Sequence, residues 1–176
     1  MLIFLPNSHG YSEFTSYIHR NTLTGIIHGI GLPISAIGLF TLIYTLVHIA
    51  IRNRLHSKIY TICVASFILG GYTVGYITYD PYWGLITILF YSWLIFRTID
   101  KVYTDALTVD SILTHTKTQM FKGLIYLFVP VLFMEFLGHW ILEGKGSDVS
   151  QLLNSIYHTP LYGIKALFEP IFKLVA

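Results

Sequence analysis

Glu135, His139 and Glu143 follow one another at intervals of four, so on a helix all three fall on one stripe. An imidazole flanked by two carboxylates on one helix face can offer nitrogen and oxygen donors to a common metal ion. Glu135 carries added weight, because a carboxyl group set in the apolar run from Gly123 to Leu142 is costly and marks a partner or a function. A second polar set, His19, Asn21 and His28, lies near the start of the chain. His19 and His28 are nine positions apart, about half a turn out of phase on an unbroken helix, so they converge only if the chain breaks between them. Arg20-Asn21-Thr22-Leu23-Thr24-Gly25 supplies that break, with Asn21, Thr22 and Thr24 as candidate N-caps. Two or three histidines with a carboxylate make a ligand set without sulfur. Such a set suits non-haem Fe(II) in a facial arrangement, or zinc, better than Cu(I) or an iron–sulfur cluster, and ligand type leaves iron and zinc both open. His48, His56, His115 and His158, in loops, near the tail or in the other half of the membrane, are read as packing residues, with His9 as a reserve ligand.

These side chains need a scaffold, and the composition says which. Apolar residues are 54% of the 176 and charged residues 11%, against roughly 25% charged in a soluble domain. The chain is therefore expected to be an integral membrane protein: a single all-α domain over residues 1–176, a polytopic helical bundle of about four transmembrane helices plus interfacial amphipathic helices. Uncharged runs place the spans at 34–51, 59–79, 82–96 and 123–142, the third only about fifteen residues long and either crossing or re-entrant. The segment 25–33, rich in glycine, belongs near the interface or against another helix. Arg97 to Lys122 reads as an extramembrane loop with a surface helix whose Asp100, Asp105 and Asp110 form a solvated face, and 152–175 reads as an interfacial amphipathic segment. An even number of crossings puts the start of the first span and the end of the fourth on one side of the membrane. Topology alone then gathers His19, Asn21 and His28 with Glu135, His139 and Glu143.

A net charge of +2 without a dense basic cluster argues against nucleic acid as a partner. The single cysteine, Cys63, forbids a disulfide within the chain and argues against a thiolate metal site. Met1 to Pro6 has no basic n-region, so the first span is expected to do the targeting. Seven basic residues in the loops after spans one and three, against four on the other side, lean both termini away from the cytoplasm.

Tyr17-x-His19-x-Asn21, continuing through His28-x-x-Gly31-x-Pro33, together with Glu135-Phe136-x-Gly138-His139-x-x-x-Glu143 and the later Pro160 and Glu169, resembles the membrane family typified by the yeast 2-hydroxy fatty acid dioxygenase. The likeness runs from Tyr11 to Glu169, with Glu135 standing where that family carries glutamine. It implies an Fe(II)-dependent enzyme of fatty-acid α-oxidation that uses O₂ to shorten a long-chain 2-hydroxy fatty acid by one carbon. It implies iron ligands drawn from His19, His28, His139 and Glu143. Glu135 and Asn21 are the candidate catalytic residues, and Arg20 and Lys145 the candidate partners of the substrate carboxylate. The corresponding location is the inner membrane of a bacterium or the endoplasmic reticulum of a eukaryote. Two other readings stand beside it: a transporter or ion- or proton-binding membrane protein built on Glu135 and His139, and a zinc-dependent lipid hydrolase.

Overall fold

The computed structural model describes residues 21–109, 112–144 and 152–175, and every regular element among them is helical. Helix α1 spans Thr22–Ile51, α2 Arg54–Tyr79, α3 Pro81–Leu107 and α4 Ile112–Phe133. α4 runs on directly into a π-helical segment, Met134–Glu143, and α5 is Leu152–Val175. Four of these, with α4 and its π-helical extension as one, are long and apolar enough to cross a membrane. The chain is an all-α helical membrane bundle.

The joints are short because the capping residues are in place. Asn21 caps α1, its Oδ1 accepting from Leu23 N–H at 2.9 Å. α1 ends where Arg52 turns left-handed at φ 56° and its N–H returns to the His48 carbonyl; Asn53 at once caps α2 through His56 N–H. Asp80 alone joins α2 to α3. Its N–H closes α2 on the Tyr76 carbonyl, its carboxylate accepts from Trp83 N–H, and Pro81 fills the first position of α3, where no N–H is needed.

Two boundaries differ from the sequence expectation. α1 begins at Thr22, twelve residues before Ile34, and continues through Pro33; its 30 residues make about 45 Å of helix. α3 does not stop at Phe96 but runs to Leu107, so most of the expected loop 97–122 is helix. Charge suggested a loop there, yet Ile95, Ile99, Val102 and Ala106 recur at helical spacing and are buried, while Asp100, Lys101 and Thr104 take the outer face. At about 40 Å, α3 is longer than the roughly 30 Å hydrocarbon core and carries its charged end beyond it.

Several hydroxyls in the spans are satisfied within their own helices, which suits a medium without water. Thr41, Thr45, Thr61, Thr87 and Thr98 each donate to the carbonyl four residues back at 2.7–2.8 Å. Phe40, Tyr44, Ala65, Leu69, Tyr76, Tyr91 and Ile99 form the core between α1, α2 and α3, and Leu161 and Ile164 bring α5 into it. α4 is the least covered span and packs chiefly on α1, leaving Phe121, Phe128, Val129, Leu132 and Phe133 exposed, a surface suited to lipid.

α1 meets its neighbours through glycines. A Cβ on Gly29 would lie 2.5 Å from the Gly163 carbonyl oxygen of α5, and one on Gly38 would strike Leu127 N and, at 2.7 Å, the Gly123 carbonyl of α4. Gly29→Leu is expected to lower the thermal stability of the detergent-solubilised protein by about 1–3 kcal/mol through overpacking. Gly70→Ala, with nothing within 4 Å of the added methyl, is expected to hold or gain up to about 1 kcal/mol. Equal unfolding midpoints for the two variants would show that the crossing at Gly29 does not constrain the fold.

Candidate functional site

The first turns of α1 and the π-helical end of the last span lie side by side. Thr24 is fully buried, and its hydroxyl donates across the interface to the Gly138 carbonyl at 3.2 Å. Gly138 has no side chain to push α1 away: a Cβ there would already sit 3.4 Å from His28 Cε1 and Thr24 Cγ2. His28 and His139 consequently meet edge to face, with ring centroids 5.2 Å apart and planes at 70°. Both are 6% exposed, so the pair is closed off from the surroundings.

Each imidazole is held through Nδ1. His28 Nδ1 lies 2.7 Å from the Thr24 carbonyl. A carbonyl can only accept, so the proton is on Nδ1 and Nε2 is the basic nitrogen. His139 Nδ1 lies 3.2 Å from Glu143 Oε2, and the side chains of this pair are only 8% and 5% exposed. A carboxylate buried to that degree is costly without its partner, so the two residues depend on each other. A protonated Nδ1 on a carbonyl or carboxylate, with Nε2 turned to a metal, is the usual support of a histidine ligand, and both side chains fit that pattern. In this geometry Glu143, expected as a ligand, has Oε2 against His139 Nδ1 and orients that ring.

The π-helical segment is part of the arrangement. Its wider turn keeps residues four and five apart on one face, which brings Glu143 back to His139, and such turns recur at functional sites. Pro130, without an N–H for the Tyr126 carbonyl, sits one turn before the register changes. Gly144, left-handed at φ 71°, ends the segment with its N–H on the His139 carbonyl. Half-buried Glu135, one turn before His139, is close enough to act on His28 electrostatically.

The structure thus brings together His28, His139 and Glu143, with Glu135 beside them. Asn21 is at the same end of α1, where its side chain caps the helix. His19, Arg20 and Lys145 lie outside the described residues. Among the described residues no group of three or more His, Cys, Asp or Glu side chains is arranged to hold a metal ion. His28 and His139 are the two nitrogen donors. His48, read as a packing residue, stacks on Tyr44 and meets Ser57 Oγ at 3.3 Å.

Two participants escaped the sequence reading: Thr24 beyond its capping role, and Tyr162. α5 lays Tyr162 over the start of α1, its hydroxyl donating to the Asn21 carbonyl at 3.3 Å. Burial, and then the Glu143 carboxylate, push the Tyr162 phenol up to about 12, which places this ring near both ends of the site. Lys165 reaches Asp80 at 3.4 Å and ties the same helix to the α2–α3 joint. The readable signal was Gly163, a small residue beside Tyr162 that admits the close approach to Gly29.

His158, one turn before Tyr162, is 2% exposed, and burial holds its pKa down at about 4 from 6.5. Because the unfolded chain takes up this proton first as pH falls, the stabilisation from neutral His158 is complete above pH 6.5 and is lost progressively between 6.5 and 4. Thermal unfolding from pH 7.5 to 4 is expected to show a falling midpoint for the wild type and a shallower fall for His158→Leu. The same slope in both would clear His158 of that pH dependence.

Comparison of the chain with protein-family models, with curated proteins and with solved structures finds no match in any of the three.

Proposed function

We propose that this chain is a membrane-embedded Fe(II)-dependent dioxygenase that converts long-chain 2-hydroxy fatty acids to fatty acids one carbon shorter. The observation that carries the reading is the His28–His139 pair: two histidines from the first and last spans, buried ring to ring, each with Nδ1 fixed by an acceptor. That arrangement prepares Nε2 for a metal, and packing alone does not ask for it. The order of the two motifs along the chain, resembling that of the yeast 2-hydroxy fatty acid dioxygenase family, supplies the substrate class.

His28 and His139 would hold the metal, with His19 the candidate third ligand. Bound Fe(II) would supply the electron-transfer chemistry by which O₂ accepts four electrons from the substrate. The overall change balances without another reductant: R–CH(OH)–COOH and O₂ give R–COOH, CO₂ and H₂O. The C1–C2 bond breaks, C1 leaves as CO₂, and C2 becomes the new carboxyl. The protein's own part is to keep the site closed to water, to orient both imidazoles, and to take up the hydroxyl proton, for which Glu135 is the candidate. The apolar flanks of α1 and α4 suit the acyl chain.

The test is elemental analysis of anaerobically purified protein together with O₂-dependent CO₂ release from a C1-labelled 2-hydroxy fatty acid. Near-stoichiometric iron in the wild type, lost in His28→Ala and in His139→Ala along with turnover, is the expected result. Glu143→Gln is expected to weaken metal retention by about 10–100-fold while leaving the fold intact. Zinc in place of iron would move the reading to a lipid hydrolase. Absence of any metal would return the two histidines to packing and end the enzyme reading.

A further inference from the structure

A cavity of about 480 Å³ opens between α1, α3 and α4 at the end of the bundle opposite His28 and His139. Its lining changes character along its length. Ile37, Leu94 and Tyr126 make the part nearer the middle of the spans, and charged residues from the projecting end of α3 and the start of α4 make the mouth.

The charges at the mouth are not all matched. Asp100 is held by Lys58 at 2.7 Å and Asp105 by Lys101 at 3.4 Å. Arg97 and Lys122, from two different helices, line the same cavity and take part in no ion pair among the described residues. Between the charged and apolar parts lies Gln119, 4% exposed, which lines the cavity. An amide on the wall between cations and apolar side chains can donate to a polar group that enters the cavity.

We propose that this cavity binds the oxyanion headgroup of a membrane amphiphile, with Arg97 and Lys122 at the anion, Gln119 donating to it, and the acyl chain running past Leu94 and Tyr126 into the bilayer. A phospholipid phosphate and a fatty-acid carboxylate share this chemistry. The level is that of headgroups, because α3 passes out of the hydrocarbon over the turns that carry Arg97 and Asp100. The site is separate from the histidine pair and does not depend on the dioxygenase reading.

The experiment measures lipid binding to the full chain in neutral detergent by native mass spectrometry, titrating phosphatidylglycerol, phosphatidylcholine, oleate and inorganic phosphate. The wild type is expected to prefer phosphatidylglycerol or oleate to phosphatidylcholine; which of the two binds identifies the source of the anion. Arg97→Gln with Lys122→Gln is expected to weaken that binding about thirtyfold, at roughly one surface charge's contribution from each cation. Gln119→Leu is expected to weaken it as well, and Lys117→Gln, on the same side but outside the lining, to leave it within about twofold. Equal affinity for phosphatidylcholine, inorganic phosphate binding as tightly as the lipids, or undiminished binding in the double variant would overturn the proposal.

Discussion

Two helices can bring their backbones into contact only where neither has a side chain at the crossing, and in lipid, where burial of apolar surface gives no drive to association, such contact is a main source of attraction. α1 is built around this constraint. Gly25 and Gly29 receive α5, Gly31 receives Met134, and Gly38 and Gly123 seat α4. α1 therefore touches every other element of the bundle. A side chain at Gly29 or Gly38 would part helices whose separation sets the distances within the site.

From that contact the chemistry follows by short steps. Thr24 and His28 share one face of α1, one turn apart, so the Thr24 carbonyl is where His28 Nδ1 can reach it while the hydroxyl faces the π-helical segment. Gly138 lets the facing segment come close, and the wider π turn returns Glu143 to His139. α5 closes the assembly with Tyr162 on the cap of α1 and Lys165 on Asp80. The polar groups of this end hold one another, and the opposite end keeps its own charges around a separate cavity.

The membrane class, the four spans and the gathering of His28 with His139 and Glu143 were legible in the sequence, because uncharged runs, helical spacing and an even number of crossings each depend on local pattern. The extent of α3 was not, since charge at Arg97 to Asp105 was read as a loop while the apolar face continued beneath it. The π-helical register was not legible either, because a spacing of four suits both α and π turns. Asn21 was legible as one of three candidate caps, and its Oδ1 accepts from Leu23 N–H. The part of Glu143 turned on one distance, to His139 Nδ1, that spacing cannot supply. Tyr162 was hidden because its partner, the Asn21 carbonyl, lies more than a hundred residues away in sequence.

The glycine face of α1 also bears on how the protein is made. α1 is synthesised before the elements that cover it, for Gly38, Gly29 and Gly25 lie against α4 and α5, whereas α2 and α3 pair with each other across one residue. During biogenesis α1 thus enters the bilayer with its polar Thr24 and His28 and its bare backbone turned to lipid or to whatever accompanies the nascent chain. The histidine pair forms only when residues beyond Gly138 have been inserted, and the last closure waits for Tyr162 and Gly163. Assembly of this end of the bundle thus waits for segments far downstream of α1, and a ribosome that stalls before α5 releases a bundle in which Gly25 and Gly29 are still uncovered.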